Sequence, residues 1–293
     1  MYRLSYLTAF LVFFFVSCGG GDQAKENQQR QEEIKAEVQN EVEQGLDEGE
    51  EEEFDFVMPS ALQITSIFSR QGAEFNKQYT NELSNVNNYL TKESKLLNLG
   101  VYTSDLCYCV LNNQSQLSIE YLKAVKKISE DVGMASIFSS GPIFERFENN
   151  IGNRDSIIYI MADLQEQTDL YIKRSDQEHL AMMIFAGAWV EGMYIGLQNT
   201  KNLKQGNDIV PRIVEQMTLL ANLIMGLELQ PAQTEEVQKY QEMYLDLRAF
   251  FENIEGVNLE TFEYDLSKIT DEDLMKIKDK VSEIRNSIVS VNS

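Results

Sequence analysis

Histidine and cysteine are almost absent from this sequence, and each shortage excludes a class of protein from consideration. Three cysteines in 293 residues are too few to build a disulfide framework. A single histidine, His179, leaves no histidine pair for a helical zinc motif. His179 follows Glu178 in the first turn of a predicted helix, which favours a surface or packed histidine over a catalytic one. The sequence therefore predicts no metal site and no histidine-based catalytic centre.

Basic residues are scarce as well. The chain has 25 lysines and arginines against 47 acidic residues, for a net charge of −22. Nucleic-acid phosphates are repelled by such a surface, so no nucleic-acid partner is expected. The chain also lacks a glycine-rich phosphate loop, a G-x-S-x-G nucleophile motif and a C-x-x-C pair. These absences give no reason to expect a cofactor, and no catalytic residue is assigned.

Cys107 and Cys109 form a C-x-C pair on a predicted helix. Two helical positions that are two residues apart point about 200° away from each other. The two thiols therefore cannot hold one metal ion or form a disulfide while the helix is regular. We expect both to be small buried side chains.

The first residues have the composition of a cleaved leader. Arg3 supplies a positive charge, and Leu7–Val16 is an apolar stretch of 10 residues. A membrane-spanning helix needs roughly 20 such residues. The length therefore favours a signal peptide that is removed over a permanent anchor.

The stretch Leu11–Asp22 reads LVFFFVSCGGGD and places Cys18 after a small residue and before three glycines. Over residues 1–22 the chain resembles the lipobox-type signal peptide of bacterial lipoproteins, with Phe15 where leucine is usual. The resemblance implies that a signal peptide, residues 1–17, is cut and that acylated Cys18 anchors the protein in a lipid bilayer of the cell envelope. An aspartate directly after the acylated cysteine would favour retention in the inner membrane. Gly19 stands at that position instead, which favours the outer membrane. The alternative is an ordinary secretory peptide that leaves Cys18 as a free thiol.

Residues 18–55 differ in composition from the rest of the chain. Asp22–Asp55 holds 14 acidic and 3 basic residues, a net charge of −11. Such a segment has too little apolar surface to offset the entropy lost on ordering. We interpret it as a lipidated, flexible acidic tether. A lure for basic partners or cations is the alternative.

Residues 56–293 have helical periodicity almost throughout and predict an all-α domain, either a multi-helix bundle or a short array of helical hairpins. The apolar stripes step by three and four, and the four prolines lie at or near predicted helix ends. Thr270 precedes an acidic first turn, as a helix cap does. Val257–Leu266 alone suggests extended chain. The stripes begin with Leu83, Val86, Leu90 and Leu97 and continue through Leu117, Tyr121, Ala124, Ile128 and Val132, then Val237, Tyr240, Tyr244, Leu247 and Phe251, and last Leu274, Ile277, Val281, Ile284 and Ile288.

The segment Ala181–Val190 carries no charge. A helix without a polar face belongs in the interior, so we expect this helix to be central. It contains Trp189, the single tryptophan. Trp189 is interpreted as a core residue, with a ligand platform as the alternative.

A weak internal similarity suggests a duplicated hairpin. Gly100–Leu106 aligns with Gly187–Met193 at an offset of 87 residues. The predicted units lie near residues 81–133 and 175–226, followed by C-terminal helices over 233–293. A stripe of small residues, Ala188, Gly192 and Gly196, predicts a close crossing with a neighbouring helix. Chance recurrence of glycine and aromatic residues is the alternative.

Two acidic residues, Asp105 and Glu191, stand inside otherwise apolar helices at neighbouring positions of the two predicted units. In one groove they could act as an acid/base pair or bind a cation, with one carboxyl desolvated. Otherwise each hydrogen-bonds a tyrosine hydroxyl or a helix end, and the chain has 13 tyrosines.

Two functions from different classes follow. The first is a membrane-anchored envelope lipoprotein whose helical domain, without enzymatic activity, binds or scaffolds another envelope protein or a peptide. The second is a helical hydrolase, or a binder of a small ligand or cation, that uses Asp105 and Glu191 in a groove between helices. Whether these carboxylates share an accessible pocket separates the two.

Overall fold

The structure is a computed structural model that describes residues 59–69, 75–139, 143–174, 178–198, 209–259, 261 and 263–290. Residues from Met58 to Ser293 form a compact unit of their own. The predicted leader, Cys18 and the acidic tether lie outside the described residues.

The described part of this unit is mainly α-helical, with two short 3-10 turns and one small hairpin, so the predicted all-α class is confirmed. The helices are α1 (Ala61–Ser69), α2 (Lys92–Leu111), α3 (Ser115–Asp131), α4 (Ser136–Ser139), α5 (Ile143–Asn149), α6 (Arg154–Arg174), α7 (Glu178–Gln198), α8 (Ile209–Thr218), α9 (Leu220–Glu228), α10 (Glu235–Glu252) and α11 (Asp271–Val289). The 3-10 turns are Lys77–Tyr79 and Leu83–Asn87. Strands β1 (Val257–Asn258) and β2 (Glu263–Tyr264) pair antiparallel, where alternation predicted extended chain.

Helix α7 lies at the centre of the domain, as its uncharged segment predicts. It contacts α1, α2, α6, α9 and α11. Among the described helices, it alone is long and apolar enough to cross a membrane by length and composition, but 83% of its apolar window is buried inside the protein. Trp189 is fully buried and meets Tyr244 edge to face, with ring centroids 5.9 Å apart. Trp189 is therefore a core residue.

The C-terminal helices bury the stripes that their sequences predict. All five stripe residues of α10 and all five of α11 are buried. The predicted cap is confirmed too, because the Thr270 side chain accepts a hydrogen bond from the Asp273 amide while the Asp273 carboxylate accepts one from the Thr270 amide. This capping box satisfies two amide groups that the first helical turn leaves free.

The stripe predicted from Leu83 to Leu97 is wrong. The α-helix begins only at Lys92, so the first predicted unit, near residues 81–133, has no α-helix before that residue. Leu90 is 81% exposed. Asparagine side chains compete with helical backbone hydrogen bonds, and the Asn88 side-chain amide donates to the Ser84 carbonyl oxygen. Thr91 then caps α2 by accepting from the Ser94 amide.

Helices α2 and α7 cross closely at two glycines. A Cβ atom built on Gly100 would lie 1.9 Å from the Ile184 carbonyl oxygen. A Cβ atom built on Gly187 would lie 1.8 Å from the Leu97 carbonyl oxygen. The contacts are reciprocal, since Ile184 follows Leu97 by the same 87 residues that separate the glycines. Neither glycine belongs to the small-residue stripe that predicted the crossing.

Gly192, which does belong to that stripe, faces α1. A Cβ atom there would lie 2.6 Å from Ile64 Cγ2, and Ile64 is fully buried. We expect Gly192→Ala to lower the guanidinium midpoint although alanine gains up to about 1 kcal/mol of helix propensity. Gly192→Leu should cost more, about 1–3 kcal/mol through overpacking. An Ile64→Ala background should reduce the loss caused by Gly192→Ala. Two variants as stable as the parent would show that this crossing is loose.

Candidate functional site

Three central helices each place one ionisable side chain at the same buried point. Asp105 is on α2, Glu191 is on α7 and Arg285 is on α11. Asp105 and Glu191 have no exposed surface, and 8% of Arg285 is exposed. We call these three residues the buried cluster. The helices meet there because their apolar faces surround it, so all three charged groups are removed from water together.

Glu191 and Arg285 form a bidentate ion pair. Arg285 Nε lies 2.9 Å from Glu191 Oε2, and Arg285 Nη2 lies 3.1 Å from Oε1. The guanidinium also stacks on the Tyr194 ring, with Cζ 4.6 Å from the centroid. Burial alone would lower the pKa of Arg285, but the charge and hydrogen bonds of Glu191 outweigh it and raise the pKa. Arg285 therefore stays charged and neutralises one of the two carboxylates.

Asp105 is the second carboxyl group, and the cluster has no second cation for it. Its Oδ2 accepts a hydrogen bond from the Asn81 amide at 3.0 Å. No N–H or O–H group among the described residues donates to its Oδ1, and the Glu191 carboxylate lies close enough to share a hydrogen bond with the protonated acid. Burial first, and then the negative charge of Glu191, raise the pKa of Asp105 well above its usual range, against the opposing effects of Arg285 and the Asn81 amide. The neutral acid is therefore the favoured form of this side chain.

A segment without α-helix, residues 76–91, covers the cluster and contains the two 3-10 turns; we call it the strap. Its buried backbone groups need partners that a helix would otherwise supply, and tyrosines supply them. The Tyr121 hydroxyl donates to the Asn81 carbonyl oxygen at 2.8 Å, and the Tyr102 hydroxyl donates to the Glu82 carbonyl oxygen at 2.8 Å. The Asn81 side-chain amide donates to the Tyr89 hydroxyl at 2.8 Å. Polar contacts thus hold the strap over the buried cluster.

Asp105 and Glu191 could form an acid/base pair only for a substrate that reaches them, and both side chains are fully buried. A shallow surface recess lies elsewhere, between the start of α3 and the loop before α6. It is lined by Gln114, Ser118 and Phe147 among others. The described residues include no group of three or more histidine, cysteine or acidic side chains that could hold a metal ion. As described, the cluster is closed to substrates.

The structure brings the two predicted carboxylates together but gives them unpredicted partners. Neither a tyrosine hydroxyl nor a helix end holds them; an arginine and a backbone amide of the strap do. Sequence reasoning missed Arg285. The signal was a cation directly beside the apolar stripe of α11, next to Ile284 and four residues after Val281, where an unpaired charge would be costly.

The two helical cysteines and the single histidine that the sequence draws attention to are not members of the buried cluster. Cys107 and Cys109 are buried free thiols. Burial raises the pKa of Cys107 to about 12, so the thiol stays protonated. His179 is half-buried in the first turn of α7, and its carbonyl oxygen accepts from the Gln230 side chain at 2.9 Å.

Comparison of the chain with protein-family models, with curated proteins and with solved structures finds no match.

Proposed function

We propose that this protein is a membrane-anchored envelope lipoprotein whose helical domain binds or scaffolds another envelope protein or a peptide without catalysing a reaction. The observation that carries the proposal is the state of the two carboxylates in the buried cluster. An enzyme would use them exposed in a groove, whereas Glu191 is paired on both oxygens and both side chains are sealed. A neutralised, enclosed cluster contributes to the fold, which leaves the outer surface for recognition.

The alternative is a helical hydrolase, or a binder of a small ligand or cation. The raised pKa of Asp105 supports it, because a general acid must keep its proton at working pH. This function requires the strap to move away so that Asp105 can meet a substrate. Binding to the closed domain requires no such movement.

One pair of variants distinguishes the two functions. Partners are captured in cells by photo-crosslinking from exposed sites on α6 and α10, and each captured partner is then tested for direct binding with purified protein. We expect binding to survive Asp105→Asn, which keeps the shape of the side chain and leaves the surface unchanged. Loss of binding or of turnover in a folded Asp105→Asn variant would support the alternative. Asp155→Asn, at an exposed carboxylate, is the matched control.

The anchoring prediction concerns Cys18. We expect Cys18→Ala to abolish acylation and processing by the lipoprotein route, because the new N-terminal cysteine is the residue that carries the lipid. Several acyl chains hold a protein on a bilayer durably, at about 0.8 kcal/mol per buried methylene. Labelling with a palmitate analogue and membrane fractionation measure the result. Cys107→Ala is the control that should keep the lipid, and label in Cys18→Ala would contradict the anchor.

A further inference from the structure

The strap is attached to the domain by hydrogen bonds and by three apolar side chains, of which Tyr89 is buried while Leu83 and Val86 pack against the core only partly buried. Among residues 76–91, only Thr80, Asn81 and Tyr89 are buried, and two of the three are polar. Segments with few buried apolar side chains open locally at a lower free energy than the core they cover. The helices below, by contrast, bury continuous apolar stripes. The strap is therefore the part of this region that can open without unfolding the domain.

The strap is also the direct neighbour of Asp105. The Asn81 amide of the strap donates to Asp105 Oδ2, and the Asn81 side chain continues to Tyr89 and to Asn98 of α2, at 2.8 and 3.3 Å. The Asn98 side chain then donates to the Ile288 carbonyl oxygen of α11 at 2.9 Å. Opening the strap breaks the bond to Asp105 and admits water to a carboxyl group that is otherwise enclosed.

Asp105 is the carboxyl group of the buried cluster that the strap contacts directly. The other groups around it are neutral tyrosines and thiols whose pKa values burial raises, or members of the ion pair. They are Tyr102, Cys107 and Cys109 on α2, Tyr121 on α3, Glu191 and Tyr194 on α7, Arg285 on α11 and Tyr89 on the strap.

We propose that the strap is a pH-linked gate over the buried cluster, in which opening releases one proton from Asp105 to water. With the strap closed, Asp105 keeps its proton beside Glu191. With the strap open, Asp105 is hydrated and its pKa returns toward the ordinary carboxyl value of about 3.9. Between the two pKa values, the open form binds one proton fewer, so a rise in pH favours opening. The opening constant rises up to about tenfold per pH unit and levels off above the closed-state pKa.

Amide hydrogen exchange of the full-length chain tests this gate. Exchange of the Asn81 amide is followed between pH 5 and pH 9, and each rate is divided by the intrinsic rate to give an opening constant. We expect this constant to rise with pH in the parent protein and to be independent of pH in Asp105→Asn. The Val125 amide in the middle of α3 reports global unfolding, and its opening constant should remain far smaller throughout.

A second variant keeps the test decisive if Asp105→Asn does not fold. Tyr102→Phe removes the hydroxyl that donates to the Glu82 carbonyl oxygen. It should raise the opening constant roughly twofold to tenfold at every pH, the effect of one hydrogen bond, and leave the slope with pH unchanged. A parent constant that does not change with pH overturns the proposal. So does an equal slope in Asp105→Asn, or an Asn81 amide that opens only together with Val125.

Discussion

Arg285→Met is expected to lower the free energy of unfolding by about 3–5 kcal/mol, the cost of removing one partner from a buried ion pair. The substitution removes the positive charge that pairs with the fully buried Glu191, together with both guanidinium hydrogen bonds. Methionine has a similar length, so little of the loss should come from packing. Chemical denaturation followed by circular dichroism at pH 7 measures it.

The matched control is Arg248→Met on α10. Arg248 also pairs with a glutamate, Glu252, at 2.7 Å, but 36% of its side chain is exposed. Exposed pairs contribute about 0–1 kcal/mol, so this variant should be nearly as stable as the parent. If Arg285→Met and Arg248→Met lost the same small amount, the charge of Arg285 would have no role in holding the buried cluster together.

Gly100→Ala is expected to destabilise the domain by about 3 kcal/mol, the upper end of the range for overpacking. The added methyl group would lie 1.9 Å from the Ile184 carbonyl oxygen and 2.5 Å from the Ala188 nitrogen. Both are backbone atoms of α7, so relief requires the two helices to separate rather than one side chain to rotate. The gain of about 1 kcal/mol in helix propensity cannot offset this cost. Gly187→Ala should behave in the same way, because its methyl group would meet the Leu97 carbonyl oxygen.

Gly226→Ala on α9 is the control for both glycine variants. Its methyl group would also come very close to a neighbour, at 2.1 Å, but that neighbour is the Met182 side-chain terminus. Methionine has three rotatable bonds and can move aside. Thermal unfolding should therefore show a small shift for Gly226→Ala and large losses for the other two. Equal shifts in all three variants would mean that the α2–α7 crossing is not held by backbone contact.

Hydrophobic periodicity predicted most of this fold because it shows which face of each helix is buried. The stripes of α10 and α11, the Thr270 cap and the central position of α7 are local consequences of sequence, so each could be read before the structure was known. The path of the strap could not be predicted in this way. Its apolar residues have helical spacing, but its asparagines and its tyrosine partners on α2 and α3 favour a non-helical path.

The buried cluster was predicted only in part, because a local sequence pattern does not show which distant residues meet in the fold. A carboxylate within an apolar stripe is visible in the sequence, which is how Asp105 and Glu191 were found. The residue that neutralises Glu191 is 94 positions away along the chain, and no local pattern connects the two. The hydrogen bond from the Asn81 amide to Asp105 likewise cannot be predicted from the sequence, since every residue except proline has a backbone N–H donor.

The predicted duplication stays a prediction. Its offset of 87 residues relates Gly100 to Gly187, and the reciprocal contacts at the α2–α7 crossing are those that two copies related by a two-fold axis would make. The buried cluster does not follow this relation, because the same offset pairs Asp105 with Gly192 and Glu191 with Ser104. If the units share an origin, their ionisable residues have diverged.

A double-mutant cycle on Glu191 and Arg285 measures most directly whether the buried cluster is a neutralised part of the fold. The four proteins are the parent, Glu191→Leu, Arg285→Met and the double variant, each unfolded in guanidinium at pH 7. Replacing both partners of a buried ion pair with apolar residues is often neutral, whereas removing one is costly. We expect the double variant to be more stable than Arg285→Met, with a coupling energy of at least about 2 kcal/mol. Losses that simply add in the double variant would contradict this and show that the two side chains do not depend on each other.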